Sequence, residues 1–133
     1  MLVHRDYRTG NYLVRDGHLA AVLDWEFAGW GDPVEDIGWF LAGCWRFGRS
    51  DREAGGIGAA ADFLTGYHAI CGRDPRPADI HFWQVIAHVR WAVIALQQAD
   101  RHASGREASL ELALTAHIVP ELEWALLGLT GGS

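Results

Sequence analysis

Residues 4–11 read HRDYRTGN, and two short apolar runs, 12–14 and 19–23, follow this stretch. Asp16-Gly17 lies between the two runs. An Asp-Gly pair flanked by apolar runs is a strong hairpin signal, because glycine adopts the positive φ that a two-residue turn requires. The sequence therefore predicts a loop, a strand, a tight turn and a second strand, in this order.

Three polar side chains flank this hairpin at positions suited to phosphate chemistry. Asp6 and Asn11 lie in the loop before it, and Asp24 follows its second strand, so the hairpin should return Asp24 to the loop. Mg²⁺ prefers oxygen ligands, takes few of them from protein and binds the phosphates of the substrate as well. A carboxylate beside such a metal can accept a hydroxyl proton during phosphoryl transfer. The alternative is a loop and hairpin with ordinary capping residues.

The rest of the chain is predicted to be helical. Asp32 and Glu35 are expected to serve the N-terminus of a helix that starts at Pro33 and runs to about Arg46. Apolar patterns of helical period predict further helices over 57–70, 78–101 and 107–127. The predicted fold class is therefore mainly α with a small N-terminal β-hairpin, an α+β arrangement.

The composition limits the classes of partner. The chain has 133 residues, a net charge of −6 and 11 basic residues, all of them arginine. An acidic chain without a basic stripe argues against nucleic acid as a partner, because contacts to phosphates supply much of that affinity. The charge fits a neutral or cationic small substrate, or it serves only to keep the surface soluble.

Cysteine usage and hydropathy indicate the compartment. Cys44 and Cys71 are far apart, and the first residues do not form a signal peptide, so a reduced, cytoplasmic protein is predicted. The most apolar segment, 80–96, is interrupted by four polar residues, so no membrane span is predicted there. We therefore expect neither a membrane nor a nucleic acid as a partner.

The motifs resemble those of two related enzyme classes. The pattern of HRDYRTGN resembles the H-R-D-x-x-x-x-N catalytic loop of protein kinases. Over residues 2–38 the chain resembles the C-terminal lobe of the aminoglycoside phosphotransferase and choline kinase family. That family typically has His-Gly-Asp followed by Asn, then Asp-Trp-Glu after an apolar strand, then Gly-Asp-Pro and Asp-Leu-Gly. The matching stretches here are His4-Arg5-Asp6, Asn11, Asp24-Trp25-Glu26, Gly31-Asp32-Pro33 and Asp36-Ile37-Gly38.

The resemblance implies a reaction and the residues for it. It implies an ATP-dependent transfer of the γ-phosphate to a hydroxyl of a small molecule, with Mg²⁺ and ATP as cofactors. Asp6 would be the catalytic base. Asn11 and Asp24 would bind Mg²⁺ and, through it, the nucleotide. The fold implied is the C-terminal lobe of a protein-kinase-like fold.

The resemblance also implies supporting roles. His4 would brace the catalytic loop against the metal-binding segment, and Asp36 would accept backbone N–H bonds from that loop. Glu26 would be a carboxylate near the metal or simply a solvated side chain. Arg5 stands where the family usually has glycine, which is the protein-kinase form. Asp24-Trp25-Glu26 replaces the Asp-Phe-Gly of protein kinases, however, so the small-molecule branch matches better.

A single domain is predicted over residues 1–133, because no repeat or linker divides the sequence. The catalytic loop, hairpin and metal-binding segment would occupy 1–33, and a helical subdomain 34–130. Gly55-Gly56-Ile57-Gly58 lacks the spacing of a phosphate-binding loop, so it is expected to lead into a helix.

The ATP-binding N-terminal lobe is missing from the sequence. Kinases grip ATP with a glycine-rich loop and a lysine, and this chain contains neither. Three explanations are open: the chain is the C-terminal part of a longer phosphotransferase, it is a non-catalytic remnant that binds a small molecule or a protein, or another chain supplies the lobe. The first is preferred for the chemistry, and the isolated chain is expected to be inactive.

Without that lobe, the interlobe surface around Asp6, Tyr7, Tyr12 and Trp25 would be exposed. Exposed apolar surface of this kind favours association. A homo-oligomer formed through this surface is therefore predicted. The second partner that we expect is the small-molecule hydroxyl acceptor.

Overall fold

The computed structural model describes residues 1–131, which are mainly helical, with short strands near the N-terminus. The predicted fold class is confirmed. The chain divides into two compact units, Met1–Gln84 and Val85–Ser133. All of the candidate site residues named above belong to the first unit.

Four short strands form two antiparallel pairs in the first unit. Strand β1 (Leu2–Val3) pairs with β4 (Gly29–Trp30), and β2 (Tyr12–Arg15) pairs with β3 (His18–Val22). The turn between β2 and β3 is Asp16-Gly17, with φ of 52° and 77°. Two consecutive positive φ values are typical of the tight turn that matches the twist of paired strands, so the predicted hairpin is confirmed.

The helix that follows is shorter than predicted. Helix α1 is Val34–Leu41, and Ala42 already has extended backbone, with φ −63° and ψ 142°. A 3₁₀ turn, Gly43–Trp45, then changes the direction of the chain. The prediction of a helix to Arg46 was wrong, because Gly43 is a poor helix former and the turn buries the indole of Trp45.

Helix α1 forms the centre of the core of the first unit. Its residues Ile37, Phe40 and Leu41 are buried together with Ala54, and the side of helix α2 (Ala60–Cys71) that carries Phe63 packs against them. Other apolar residues pack around this cluster. The core thus lies beneath the loop that carries Asp6, and it fixes the position of α1 relative to that loop.

Helix α3 is Pro77–Ala103, and its first residues contact α1. A Cβ atom placed on Gly38 would lie 2.3 Å from the Cβ of Trp83. Real Cβ atoms do not approach so closely, so glycine at this position permits the two backbones to meet. The predicted range of 78–101 for this helix is close to the observed one.

The last predicted helix, 107–127, begins later and is interrupted. Helix α4 is Leu110–Thr115, a 3₁₀ turn covers Ala116–Ile118, and helix α5 is Val119–Thr130. Ser109 caps the start, since its hydroxyl accepts a bond from the backbone N–H of Leu112 at 3.3 Å. Pro120 explains the interruption, because proline has no N–H and its ring clashes with the carbonyl four residues earlier.

One helical stretch is long and apolar enough to cross a membrane by length and composition. It is Leu110–Thr130, with 21 residues, a mean hydropathy of 1.3 and 6% of its best window buried. This stretch differs from segment 80–96, for which the sequence predicts no membrane span. A single such helix is weak evidence, because the core helix of a soluble protein passes the same test.

Candidate active site

The loop that contains Asp6 is attached to the first turn of α1 by Asp36. The backbone N–H groups of His4 and Arg5 donate to the two carboxylate oxygens of Asp36, each at 2.7 Å. Arg5 has a φ of 67°, in the left-handed region. That conformation costs a non-glycine residue on the order of 1–2 kcal/mol, and two bonds to a charged acceptor are sufficient to offset it.

His4 connects this loop to the end of strand β3. It is buried, and its Nδ1 accepts a bond from the backbone N–H of Asp6 at 3.2 Å. Its Nε2 therefore carries the proton and donates to the carbonyl oxygen of Leu23 at 2.6 Å. The backbone N–H of Leu23 in turn donates to the carbonyl of Asn11 at 2.7 Å. These two bonds fix the backbone of Leu23, the residue before Asp24, to the loop.

The side chains of Asp6 and Asn11 are in direct contact. The amide nitrogen of Asn11 donates to Oδ2 of Asp6 at 2.5 Å and to the carbonyl oxygen of Asp6 at 2.9 Å. The other carboxylate oxygen of Asp6 accepts a bond from Nε of Arg8 at 3.2 Å. A carboxylate has about four lone-pair sites, so each oxygen can still accept a proton from a third group.

The oxygen atoms of Asn11 and Asp24 fit the ligand preference of Mg²⁺. Both donor hydrogens of the Asn11 amide are used on Asp6, and within residues 1–131 its amide oxygen accepts no hydrogen bond. Asp24 is exposed and has left-handed backbone, with φ 58° and ψ 57°. Its carboxylate makes no hydrogen bond or ion pair with any other residue that the structure describes. Mg²⁺ usually takes only one or two ligands from the protein, so one carboxylate and one amide oxygen are sufficient for a magnesium site.

The first 131 residues contain no group of three or more His, Cys, Asp and Glu side chains that could hold a metal ion. This excludes a zinc-type centre within that range, because such a centre needs several protein ligands. Magnesium does not require such a group, since water and substrate phosphates complete its coordination.

Glu26 lies in the 3₁₀ turn Trp25–Phe27 directly after Asp24, and it is exposed. It makes no hydrogen bond or ion pair with another residue within 1–131. In the structure Glu26 is a solvated carboxylate two residues after Asp24.

Arg8 and Trp45 are two residues of this region that sequence reasoning did not single out. The guanidinium carbon of Arg8 lies 5.0 Å from the centre of the Trp45 ring, while its Nε contacts Asp6. In a chain without lysine, an arginine two residues after the predicted base was the available signal for Arg8. Nothing in the local sequence points to Trp45, which is distant along the chain.

A further long-range hydrogen bond joins the loop to the segment before α2. The hydroxyl of Thr9 donates to the carbonyl oxygen of Gly55 at 2.6 Å. Gly55 has a φ of 57°, and a Cβ there would lie 2.3 Å from a ring atom of Phe40. Residues 55–58 form a loop that leads into a helix, but α2 begins at Ala60, so the predicted helix start at residue 57 was wrong. The bond from Thr9 shows that this loop also supports the site.

The side chain of Arg5 connects the loop to helix α1 and to strand β4. Its Nε contacts the carboxylate of Glu35 at 3.3 Å, and a terminal nitrogen donates to the carbonyl of Trp30 at 3.0 Å. A Cβ on Gly29 would lie 2.8 Å from the guanidinium, so glycine makes room for it. Asp32 serves the helix start as expected, accepting the N–H of Val34 at 2.9 Å.

Two other ionisable groups near the core remain protonated at neutral pH. Burial raises the pKa of the Cys44 thiol to about 12, which excludes a thiolate nucleophile there. Burial, followed by the neighbouring Tyr12 and Asp36, raises the pKa of Tyr7. Asp6 is therefore the more suitable proton acceptor in this part of the chain.

With this geometry established, comparison with known proteins gives the family. Residues 1–72, more than half of the chain, match the phosphotransferase enzyme family. The chain belongs to the phosphotransferase enzyme family. Every candidate residue named above lies within the matched range, and the resemblance seen in the sequence is confirmed.

The chain is also similar to one solved structure and to two curated proteins, and the description of the solved structure agrees with the assignment. A crystal structure from Ralstonia eutropha, described as a "putative aminoglycoside phosphotransferase", superimposes with a TM-score of 0.72 at 26% identity. Acyl-CoA dehydrogenase family member 11 of Rattus norvegicus is 28% identical over 131 residues, and that of Pongo abelii is 27% identical.

The coverage of these matches is unequal. The Ralstonia match covers 96% of this chain but 41% of the other chain. The two acyl-CoA dehydrogenase family members are matched over 91% of this chain and only 17% of their own length. The chain therefore corresponds to a minor part of each of these proteins. The name of each protein refers to its whole length, not to the matched part alone.

Proposed function

We propose that this chain is the catalytic lobe of an ATP-dependent small-molecule kinase. The enzyme would transfer the γ-phosphate of ATP to a hydroxyl group of its acceptor. One observation carries the proposal: Asn11 fixes the carboxylate of Asp6 through its amide nitrogen while its amide oxygen, like the carboxylate of Asp24, has no partner within residues 1–131.

Each residue has a chemical task in this proposal. Asp6 orients the acceptor hydroxyl and takes its proton. Asn11 and Asp24 hold Mg²⁺, which when bound neutralises charge on the phosphate oxygens. His4 and Asp36 keep the loop and the end of β3 in place through the bonds described above.

The grip on ATP must come from outside these 133 residues. A kinase holds the nucleotide with a glycine-rich loop and a lysine, and the chain has no lysine. We propose that another part of the same protein, or another chain, supplies this lobe, and that the isolated chain is inactive. The same absence of lysine favours a second candidate, a non-catalytic module that binds a small molecule or a protein.

We also propose the kind of acceptor, the cellular location and the self-association of this protein. The net charge of −6 suits a neutral or cationic acceptor and does not suit nucleic acid. A cytoplasmic location with no membrane partner is proposed. Trp25 is exposed and contacts His4, while Tyr7 and Tyr12 are half-buried; this exposure supports the proposed association of copies through the face that carries Trp25. Light scattering that shows a monomer at high concentration would contradict that association.

A pair of matched variants tests the metal site. Asp24 and Asp16 are both exposed aspartates in left-handed conformation on the same hairpin, and asparagine tolerates this conformation. In the protein that contains the nucleotide-binding lobe, we expect Mg²⁺ with ATP to raise the melting temperature of the wild type and of Asp16→Asn, and not that of Asp24→Asn. An equal shift in all three, or no shift in any, would contradict a metal–phosphate site in this chain.

The reaction itself is tested on the protein that contains the nucleotide-binding lobe. Transfer to a panel of hydroxyl compounds should be measured as ADP release that depends on Mg²⁺. Asp6→Asn should lower kcat by roughly 10²–10⁴-fold, the range for a general base. Wild-type binding of the panel compounds without any phosphate transfer would instead support the non-catalytic module.

A further inference from the structure

The contact between Arg8 and Asp6 is shielded from water to the same degree as the pair of Arg5 and Glu35, and better than the pair of Arg49 and Asp51. The side chain of Asp6 is 15% exposed and that of Arg8 is 30% exposed. By contrast, the pair of Arg49 and Asp51 has 55% and 65% exposure. An ion pair that is shielded from water is screened less by the solvent and by salt.

Two donors hold the Asp6 carboxylate at its two oxygens. Asn11 binds Oδ2 and Arg8 binds Oδ1. The terminal torsion of an aspartate side chain is broad when nothing restrains it. One donor leaves the plane of the carboxylate free to turn, whereas donors on both oxygens fix it.

Trp45 fixes Arg8 in turn. Its buried indole lies under the guanidinium at 5.0 Å and packs against Trp39, with 5.3 Å between the ring centres. A planar guanidinium can stack on an aromatic ring and donate a bond from its edge at the same time, which an ammonium group cannot do. The early end of α1 at Leu41 brings Trp45 to this position.

We infer that Arg8 is a positioning residue, which, stacked on Trp45, holds the Asp6 carboxylate in the orientation needed to accept the proton of the acceptor hydroxyl. This inference rests on the proposed function, since it assigns a supporting group to the proposed base. Small misplacements of a reacting group are costly in catalysis, so the effect of losing Arg8 should appear in turnover more than in nucleotide binding.

The kinetic test uses the protein that contains the nucleotide-binding lobe, with Mg²⁺ and ATP. Arg8→Met should lower kcat on the order of tenfold to a hundredfold, with the KM for ATP unchanged within about twofold. Arg8→Lys should restore only part of the loss, because it keeps the charge and loses the stack. Arg15→Met is the matched control, since it removes the same charge from an exposed position at the end of β2.

The kinetic outcomes separate this inference from the proposed function. Loss of turnover in Asp6→Asn together with full turnover in Arg8→Met overturns the role of Arg8 alone. Equal effects of Arg8→Met and Arg15→Met also overturn it, since only general charge would then matter. A wild type that shows no transfer, and does not differ from Asp6→Asn, overturns the proposed function and, with it, the catalytic part of this inference.

A spectroscopic test on the 133-residue chain examines the contact without any turnover. The Nε–H signal of Arg8 should persist at neutral pH because its proton is hydrogen-bonded, and its Cδ protons should be shifted upfield by the ring of Trp45. Asp6→Asn should weaken the first effect and Trp45→Leu should abolish the second. Arg15 provides the reference, and signals of Arg8 that match those of Arg15 would contradict the contact.

Discussion

The loop at residues 4–11 and the C-terminal helices are stabilised in different ways. Side-chain hydrogen bonds of the loop join residues that are 32, 31, 19 and 46 positions apart. In residues 100–131 the most widely separated pair, Ser109 with His102, is 7 positions apart. The loop therefore depends on the packing of the whole first unit, whereas the C-terminal helices satisfy their polar groups locally. Long-range hydrogen bonds of this kind hold the loop in a fixed geometry, which a catalytic site requires.

The largest effect on stability is expected when the two hydrogen bonds between the loop and the carboxylate of Asp36 are removed. Asp36→Ala should lower the free energy of unfolding by about 3 kcal/mol, because two backbone N–H groups lose a charged acceptor. Asp62→Ala is the control, since Asp62 occupies the first turn of α2 and is exposed. Urea denaturation measures both, and equal losses would contradict the long-range attachment of the loop.

The next effect compares two helical glycines. Gly38→Ala should destabilise the protein by about 2 kcal/mol, because the new Cβ would meet Trp83. Gly128→Ala should stabilise it by up to about 1 kcal/mol, because nothing lies within 4 Å of the added atom and alanine favours the helix. Two shifts of the same sign in thermal denaturation would remove the distinction between the packed and the open helix.

A pH-dependent effect is expected in the core of the first unit. The pKa of the Cys44 thiol is raised from 9.0 to about 12 by burial, so the unfolded chain loses this proton first as the pH rises. Stability is therefore fully present below pH 9.0 and falls between pH 9.0 and about 12, by at most about 1.4 kcal/mol per pH unit. Cys44→Ala should remove this part of the slope in denaturation curves over that range. An unchanged slope in this variant would show that folding does not raise the pKa of the Cys44 thiol.

The smallest effect is local to the C-terminal helices. Ser109→Ala removes the cap of α4 and should cost about 1 kcal/mol. Ser109→Asp should retain most of the stability, because aspartate also accepts a bond at this position. Amide hydrogen exchange should show faster exchange at the start of α4 in the alanine variant only. Faster exchange in residues 4–11 as well would contradict the local character of this region.

The features that the sequence could predict are those with local causes. The Asp16-Gly17 turn and the helical patterns of α2 and α3 were found from residues that are neighbours along the chain. The spacing from Asp6 to Asn11 placed both residues in one loop, where the structure joins their side chains. The interruption before Pro120 also had a visible local cause, although the apolar pattern alone predicts an unbroken helix there.

Other parts of the candidate site could not be predicted in this way. The early end of α1 follows from the burial of Trp45, which depends on what the indole meets in the folded protein. The tether between Thr9 and Gly55 and the pair of Arg5 and Glu35 each join separate parts of the chain. A local pattern carries no information about such contacts, since they arise only when several elements pack together.

The sequence by itself determined the family, the fold class and the residues that the proposed phosphotransfer chemistry would use. Those properties follow from residue types at short, fixed spacings, and such spacings are visible without a structure. Only the tertiary structure showed how the other groups are held: Arg8 lies between Asp6 and Trp45, and Leu23 links His4 to Asn11. The physical reason is that orientation depends on packing across the chain, whereas chemical identity depends on the residues themselves.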